Sequence, residues 1–172
     1  MSDKVKKLKR SALAHFLDDS FDTSTEVGTA KWFLIGKDIE DMSVELNSDI
    51  SILKNILDET VANDNGYEPS FSADTYYANT ADSIYTKIKD IAMNRLTGDD
   101  CKTTVLEVLI DTVEGLTTGA SSAWIEDCIV KPQSYGGAQG GVNIPYNINF
   151  DGNRKEGTVT FNKKVPTFVE TT

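Results

Sequence analysis

The residue types that most often carry catalysis are sparse in this chain, and none stand at a working spacing. His15 is the sole histidine. It falls in an N-terminal stretch without sustained periodicity, where no scaffold would hold an imidazole against a substrate as a general base. Cys101 and Cys128 lack C-x-x-C spacing and a neighbouring histidine. They read as reduced, buried thiols, the state expected of a chain made in a cytosol. Carboxylates gather at Asp18 and Asp19, between Asp38 and Asp41, and at Asp99 and Asp100. None of these groups has calcium-loop spacing, and each reads as solvated surface. No nucleophile elbow, zinc-protease helix or phosphate-cradling glycine loop occurs. The glycines of "SYGGAQGG", residues 134–141, lack a strand-to-helix context and read as a turn. The expectation is a chain without catalytic residues, cofactor or metal.

What does recur is a pattern of hydrogen-bond acceptors. Asp41, Ser43 and Glu45 alternate with Met42, Val44 and Leu46. Glu68, Ser70, Ser72 and Asp74 lie opposite Tyr67, Phe71, Ala73 and Tyr77, and Asn143, Asn147 and Asn149 alternate with Val142, Ile144, Tyr146, Ile148 and Phe150. Alternation of this kind marks strands with one wet face. Exposed strands commonly use Lys or Arg as protection against edge pairing. These three faces carry none, and suit a surface past which a polyanion slides without sticking.

The elements that would position these faces follow from periodicity. Residues 1–28 read as a basic, extended or mobile arm, and a single folded domain is expected over 29–172. "KWFLIG" and "DMSVELN" read as strands joined by a turn from Gly36 to Glu40. Residues 47–66 interrupt the strands; Ile50, Leu53, Ile56 and Leu57 stand at helical intervals, but over too few turns to be stable alone. A long connection with its own apolar residues packs on something, either as a short helix on this chain's core or against a neighbour. A helix is expected over 81–96, with Thr80 as its cap, Gly98 beyond its end, and Ile84, Tyr85, Ile88, Ile91 and Ala92 as its apolar stripe. "CKTTVLEVLID", "AWIEDCIVKPQ", "VNIPYNINF" and "GTVTFNKKV" read as further strands, with a connector from Glu114 to Ser122. Asp151 and Gly152 are expected to form a hairpin turn between the last two. About seven strands with one solid helix make a mainly β chain, a sandwich or barrel with a packed α-helix.

The chain has 172 residues, fitting one domain, and a formal net charge of −10 with a pI near 4.5. That acidity argues against tight phosphate binding, which draws on Lys and Arg. The charge is uneven: "MSDKVKKLKR" carries +4 from Lys4, Lys6, Lys7, Lys9, Arg10 and one Asp, which leaves −14 on the remainder. An acidic surface is the natural partner of such a segment. No apolar run follows it, so neither a signal peptide nor a membrane span is expected.

Two stretches in order, "GTAKWFLIGKDIEDMSVELNSDISILKNILDET" and "GYEPSFSADTYYANTADSIYTKIKDIA", residues 28–60 and 66–92, followed by a β-rich segment to Val165, resemble a major tail tube protein of long-tailed bacteriophages. The resemblance implies a tail tube-like β subunit that forms a hexameric ring, with rings stacking into the virion conduit for DNA ejection. It implies a ring-stacking role for Ile50, Leu53, Ile56 and Leu57. It also implies an inter-subunit role for the basic arm and a lumen role for the acidic faces. Tape measure, tail terminator and baseplate or tail-tip proteins are the implied partners, with assembly in the bacterial host cytoplasm and no tight DNA binding. Tubes of tail-like bacteriocins and secretion machines share the fold. A monomeric β-sandwich binding module, with Trp32 and Trp124 on a sticky face, is the remaining alternative.

Overall fold

The structure is a computed structural model that describes residues 7–23, 27–110 and 121–172. It is mainly β, with a single α-helix among the described residues. The strands are β1 (Leu13–Asp18), β2 (Trp32–Ile35), β3 (Ser48–Lys54), β4 (Thr60–Tyr67), β5 (Ser70–Ala73), β6 (Lys102–Leu109), β7 (Ser121–Pro132), β8 (Tyr146–Asn162) and β9 (Val165–Glu170), and the helix is α1 (Tyr85–Asn94). Seven strands form one antiparallel sheet in the order β2-β1-β6-β7-β8-β5, with β9 also paired to β8. The hairpin β3-β4 is a separate two-stranded sheet. No helix among the described residues is long and apolar enough to cross a membrane.

The expected arm does not hold for residues 13–18. β1 lies inside the sheet, with His15 in register with Ile35 of β2 on one side and Glu107 of β6 on the other. Leu17 joins the apolar cluster on one face and Phe16 the cluster on the other. A strand covered on both faces has no polar side to display, so its sequence is a short apolar run with no alternation to detect.

β8 organises the sheet. It pairs with β7 from Tyr146 to Val159, through register shifts between Ile125 and Cys128. Gly152 and Asn153 both take positive φ, 91° and 57°. The Asp-Gly-Asn sequence expected to end a strand is instead a bulge within a longer one, because β7 continues alongside and holds both halves. The hairpin turn lies further on. Asn162 pairs with Val165, and the two residues between them, Lys163 and Lys164, have φ of 49° and 70°. That is the geometry of a tight two-residue hairpin loop, made here without glycine. Beyond the bulge, β8 changes partners: Tyr146–Asn149 pairs β5, while Gly157–Asn162 pairs β9.

The sheet curls strongly. Phe16 of β1 and Phe161 of β8 are three strands apart in the pairing order, yet their ring centroids are 6.3 Å apart. A flat sheet would hold those strands at roughly 14 Å. His15 and Phe71, four strands apart, meet at 5.1 Å. The larger core lies where Ile84, Ile88 and Ile91 of α1 pack on Leu17, Val105, Cys128, Val130 and Ile148. α1 begins later than the expected 81–96. Asn79 Oδ1 accepts the Ala81 N–H at 3.0 Å, and a turn precedes Tyr85, so Thr80 does not cap the helix. Arg95 ends it in the left-handed region, its N–H bonding back to the Ile91 carbonyl.

"DMSVELN" is not a strand; it contributes one bridge, Glu45 to Ser70. Residues 47–66 form the β3-β4 hairpin and no helix. Both cysteines are free and buried, and burial pushes the Cys128 thiol far up. The second core closes where Phe168 of β9 lies over Gly157: a Cβ there would sit 2.5 Å from the Phe168 ring and within 2.2 Å of the Val169 carbonyl. Gly157→Ala is therefore expected to destabilise the fold by about 1–3 kcal/mol, measured by urea denaturation. An unchanged midpoint would show that β9 is not held against β8 as described.

Candidate functional site

Most of the acceptor-rich residues come together on one surface. β5 presents Ser70 and Ser72 on the side opposite Phe71 and Ala73, which are buried. β8 sets Asn149 beside Ser70 and Asn147 beside Ser72. The Ser72 hydroxyl donates to Asn147 Oδ1 at 2.8 Å. Residues 41–45 reach this face through two backbone bonds between Glu45 and Ser70, at 2.8 and 2.9 Å. Asp41, Ser43, Glu45, Ser70, Ser72 and Asp74 line an open depression of about 270 Å³. Glu68 lies at its margin, where Asn47 Nδ2 donates to the Glu68 carbonyl at 2.9 Å and to the Ser70 hydroxyl at 3.2 Å.

Asn143 does not belong with them. Its Oδ1 accepts the Tyr76 N–H at 2.8 Å and braces the loop before β8. Residues 142–145 precede that strand, where Asn143 forms isolated bridges with Tyr77 and Gly136.

The surface is also less uniform than the separate stretches imply. Lys131 stands beside Asn147, and Lys102 lies one strand beyond Ile129, which is beside Asn149. Both ammonium groups are engaged: Lys131 donates to the Leu96 carbonyl at 3.1 Å. Lys102 sits 3.5 Å from Asp99 and 3.4 Å from Asp151, and these carboxylates raise its pKa. Among the described residues no three His, Cys, Asp or Glu side chains converge as a metal site. The face can accept hydrogen bonds and repel anions.

The β3-β4 hairpin carries the four apolar residues singled out in its sequence. Leu53 pairs with Val61 and Ile52 with Ala62, and neighbouring positions along each strand face opposite sides. Ile50 and Leu53 are each 58% exposed, Leu57 72%, and Ile56, at the tip, is completely exposed. The tip is ordered by Asn55, whose Oδ1 accepts the N–H groups of Leu57 and Glu59 at 2.9 and 3.0 Å. A two-stranded hairpin in water is marginally stable at best, and this one leaves apolar side chains open on both faces.

Of the basic residues, Lys4 and Lys6 lie outside the described residues. Lys7 and Lys9 are exposed. Arg10 is held by its own chain, donating from Nη1 to the Leu13 carbonyl at 2.7 Å and from Nη2 to the Met42 carbonyl at 3.0 Å.

Three buried polar side chains, His15, Glu107 and Glu126, meet a half-exposed arginine, Arg154. His15, 1% exposed, donates from Nε2 to Glu107 Oε1 at 3.1 Å, while its Nδ1 has no partner. Arg154 Nη1 bridges Glu107 at 2.7 Å and Glu126 at 2.9 Å, and its guanidinium lies 5.7 Å from the Trp124 ring centre. The cluster ties β1, β6, β7 and β8 together just past the bulge. Burial pushes the Glu107 carboxyl up, but the hydrogen bonds and charges of His15 and Arg154 outweigh it and hold the group below its ordinary 4.5. The apolar run "LAHFL" was the signal available for a two-sided strand; the partners of His15 come from residues distant in sequence.

The scan of protein-family models finds no match, and no curated protein matches the chain. Among solved structures, a chain in the cryo-EM structure of the anti-feeding prophage cap, described as the AFP tube terminating cap, aligns with a TM-score of 0.47 and 11% identity, over 92% of this chain and 99% of that one. A likeness of that degree leaves any functional reading to this chain's own geometry.

Arg154→Met removes the cation between two buried carboxylates, and is expected to cost about 1–3 kcal/mol at neutral pH. Because the Glu107 pKa is lowered, its contribution is present above 4.5 and lost as pH falls through the lower folded value. The gap between the two proteins should therefore close on acidification. Asp18, raised by burial, acts in the opposite sense but is common to both. Thermal melts from pH 7 to 3 measure this; a gap that does not change with pH would show that the carboxylates do not need the arginine.

Proposed function

We propose that this chain is a structural, non-enzymatic subunit of a phage tail or tail-like particle, assembling as hexameric rings that stack into a tube. The observation that carries this reading is the β3-β4 hairpin, a separate two-stranded sheet with exposed Ile50, Leu53, Ile56 and Leu57. No described residue covers its apolar surface, which would gain roughly 1.5–3 kcal/mol per large side chain fully buried against another molecule. Stacking of rings supplies that cover. The edge strands of the main sheet have the complementary need: among the described residues β2 pairs only with β1, and joining sheets across subunits satisfies free backbone groups that are otherwise a liability.

The surface around Asp41, Ser43, Glu45, Ser70, Ser72 and Asp74 is the candidate lumen lining. Lined by carboxylates and hydroxyls, it repels phosphates over about one Debye length, roughly 8 Å at physiological salt, which centres a duplex and removes sticking points. Lys102 is paired with Asp99 and Asp151; Lys131, held by the neutral Leu96 carbonyl, keeps its charge and is, among the described residues, the one cation beside Asn147 on this face. Glu68, Asn147 and Asn149 extend the face, and Lys7 and Lys9, with Lys4 and Lys6 before them, are candidates to bridge to an acidic neighbour. Tape measure, terminator and baseplate or tail-tip proteins are the partners this role requires.

Six copies at −10 carry −60, so like charge opposes stacking. Assembly should accelerate with added salt and start slowly without an initiating complex. Turbidity at low and high salt measures this, and equal rates would remove the electrostatic barrier. Leu53→Asp combined with Ile56→Asp should leave rings intact and abolish tubes under the electron microscope. Tubes formed by that variant would take the hairpin out of its role.

A further inference from the structure

A second apolar feature lies away from the hairpin. Between β1, β2 and the chain at 36–42 is an open cavity of about 420 Å³, walled chiefly by Leu13, Leu34, Ile35, Ile39 and Met42. Arg10 and Glu40 are both exposed among its lining residues. It is within the volume range of binding pockets; Ser11 and His15 also line it, but His15 is held through Nε2 by Glu107, and most of the wall is apolar side chain. Leu34, 54% exposed, lines this cavity and is only partly covered by the described residues.

The hairpin tip is the reciprocal shape. Ile56 and Leu57 project at the turn with exposures of 102% and 72%, so no described residue covers them. Lys54 and Asp58, 3.3 Å apart, flank them, with Glu59 following. Arg10 donates to two neutral carbonyls of its own chain and so keeps its positive charge for Asp58, and Glu40 supplies the negative charge for Lys54. β3 spans Ser48–Lys54, which at about 3.4 Å per residue sets the tip roughly 24 Å from the hairpin base, far enough to reach a second molecule.

We propose that the Ile56–Leu57 tip of one copy inserts into the Leu13–Leu34–Met42 cavity of the next, with the Arg10–Glu40 pair meeting Asp58 and Lys54. A knob and an unfilled hole on different surfaces of one chain make a head-to-tail contact, which propagates from copy to copy instead of ending at a dimer. The inference rests on the assembly reading above and names the surface that receives the hairpin.

Disulfide trapping tests it. Leu57→Cys and Leu34→Cys both replace exposed leucines, and the native Cys101 and Cys128 are buried, so folding and background oxidation are not at issue. The two single variants are concentrated separately and as an equimolar mixture, oxidised mildly, and run on a non-reducing gel beside light scattering. A covalent dimer in the mixture, with only monomer in each variant alone, is the expected result. Association seen by scattering without a mixed disulfide would overturn the cavity as receptor while leaving self-assembly standing. No association under any condition would overturn both.

Discussion

β8 has to serve different neighbours along its two halves, and the rest of the molecule depends on how it does so. Paired to β7 through the bulge, it holds β5 at its start and β9 at its end. Positive φ at Gly152 and Asn153 re-aims the strand without breaking the ladder. The consequence is a sheet that curls enough to bring Phe16 against Phe161 and His15 against Phe71. Without the curl, β1 would have no second layer on either face. The polar cluster of His15, Glu107, Arg154 and Glu126 sits just past the bulge and joins β1, β6, β7 and β8.

With the core closed in this way, the surfaces left over are informative. β5 stands beside the first half of β8 and turns Ser70 and Ser72 outward, and residues 41–45 extend that face through Glu45. The hairpin springs from the same edge, between Glu45 and Ser70, and stands apart as its own sheet. A wet, acidic depression and an apolar projection are therefore set by one local arrangement. This supports reading them as parts of a single assembling subunit.

The sequence made some of this legible and hid the rest for physical reasons. The alternation around Ser43 lies in an extended segment that joins the sheet through one bridge, whereas the wet face around Ser72 was readable because β5 has one buried side, so alternation shows directly. Ile84, Ile88 and Ile91 marked the helix for the same reason, at a period that fits its 3.6-residue turn. β1 was hidden because both its faces are covered, so "LAHFL" has no alternation to offer. The hairpin was read as a possible short helix because Ile50, Leu53, Ile56 and Leu57 are spaced in threes and fours. Those residues are exposed on two strands and a tip, where spacing answers to no buried face. Asp151–Gly152 is a strong turn signal that tertiary pairing converted to a bulge, while the true turn at Lys163–Lys164 lacks the usual residues. The Glu107–Arg154–Glu126 contacts join positions far apart in the chain, which no local pattern can announce.

The central claim is that the exposed hairpin and edges are completed by copies of the same chain. Electron microscopy of the concentrated 172-residue chain, negatively stained at low and high salt, tests it most directly. The account predicts six-subunit rings or stacked hollow tubes, more abundant at high salt. Monodisperse monomers at every concentration and salt would contradict it.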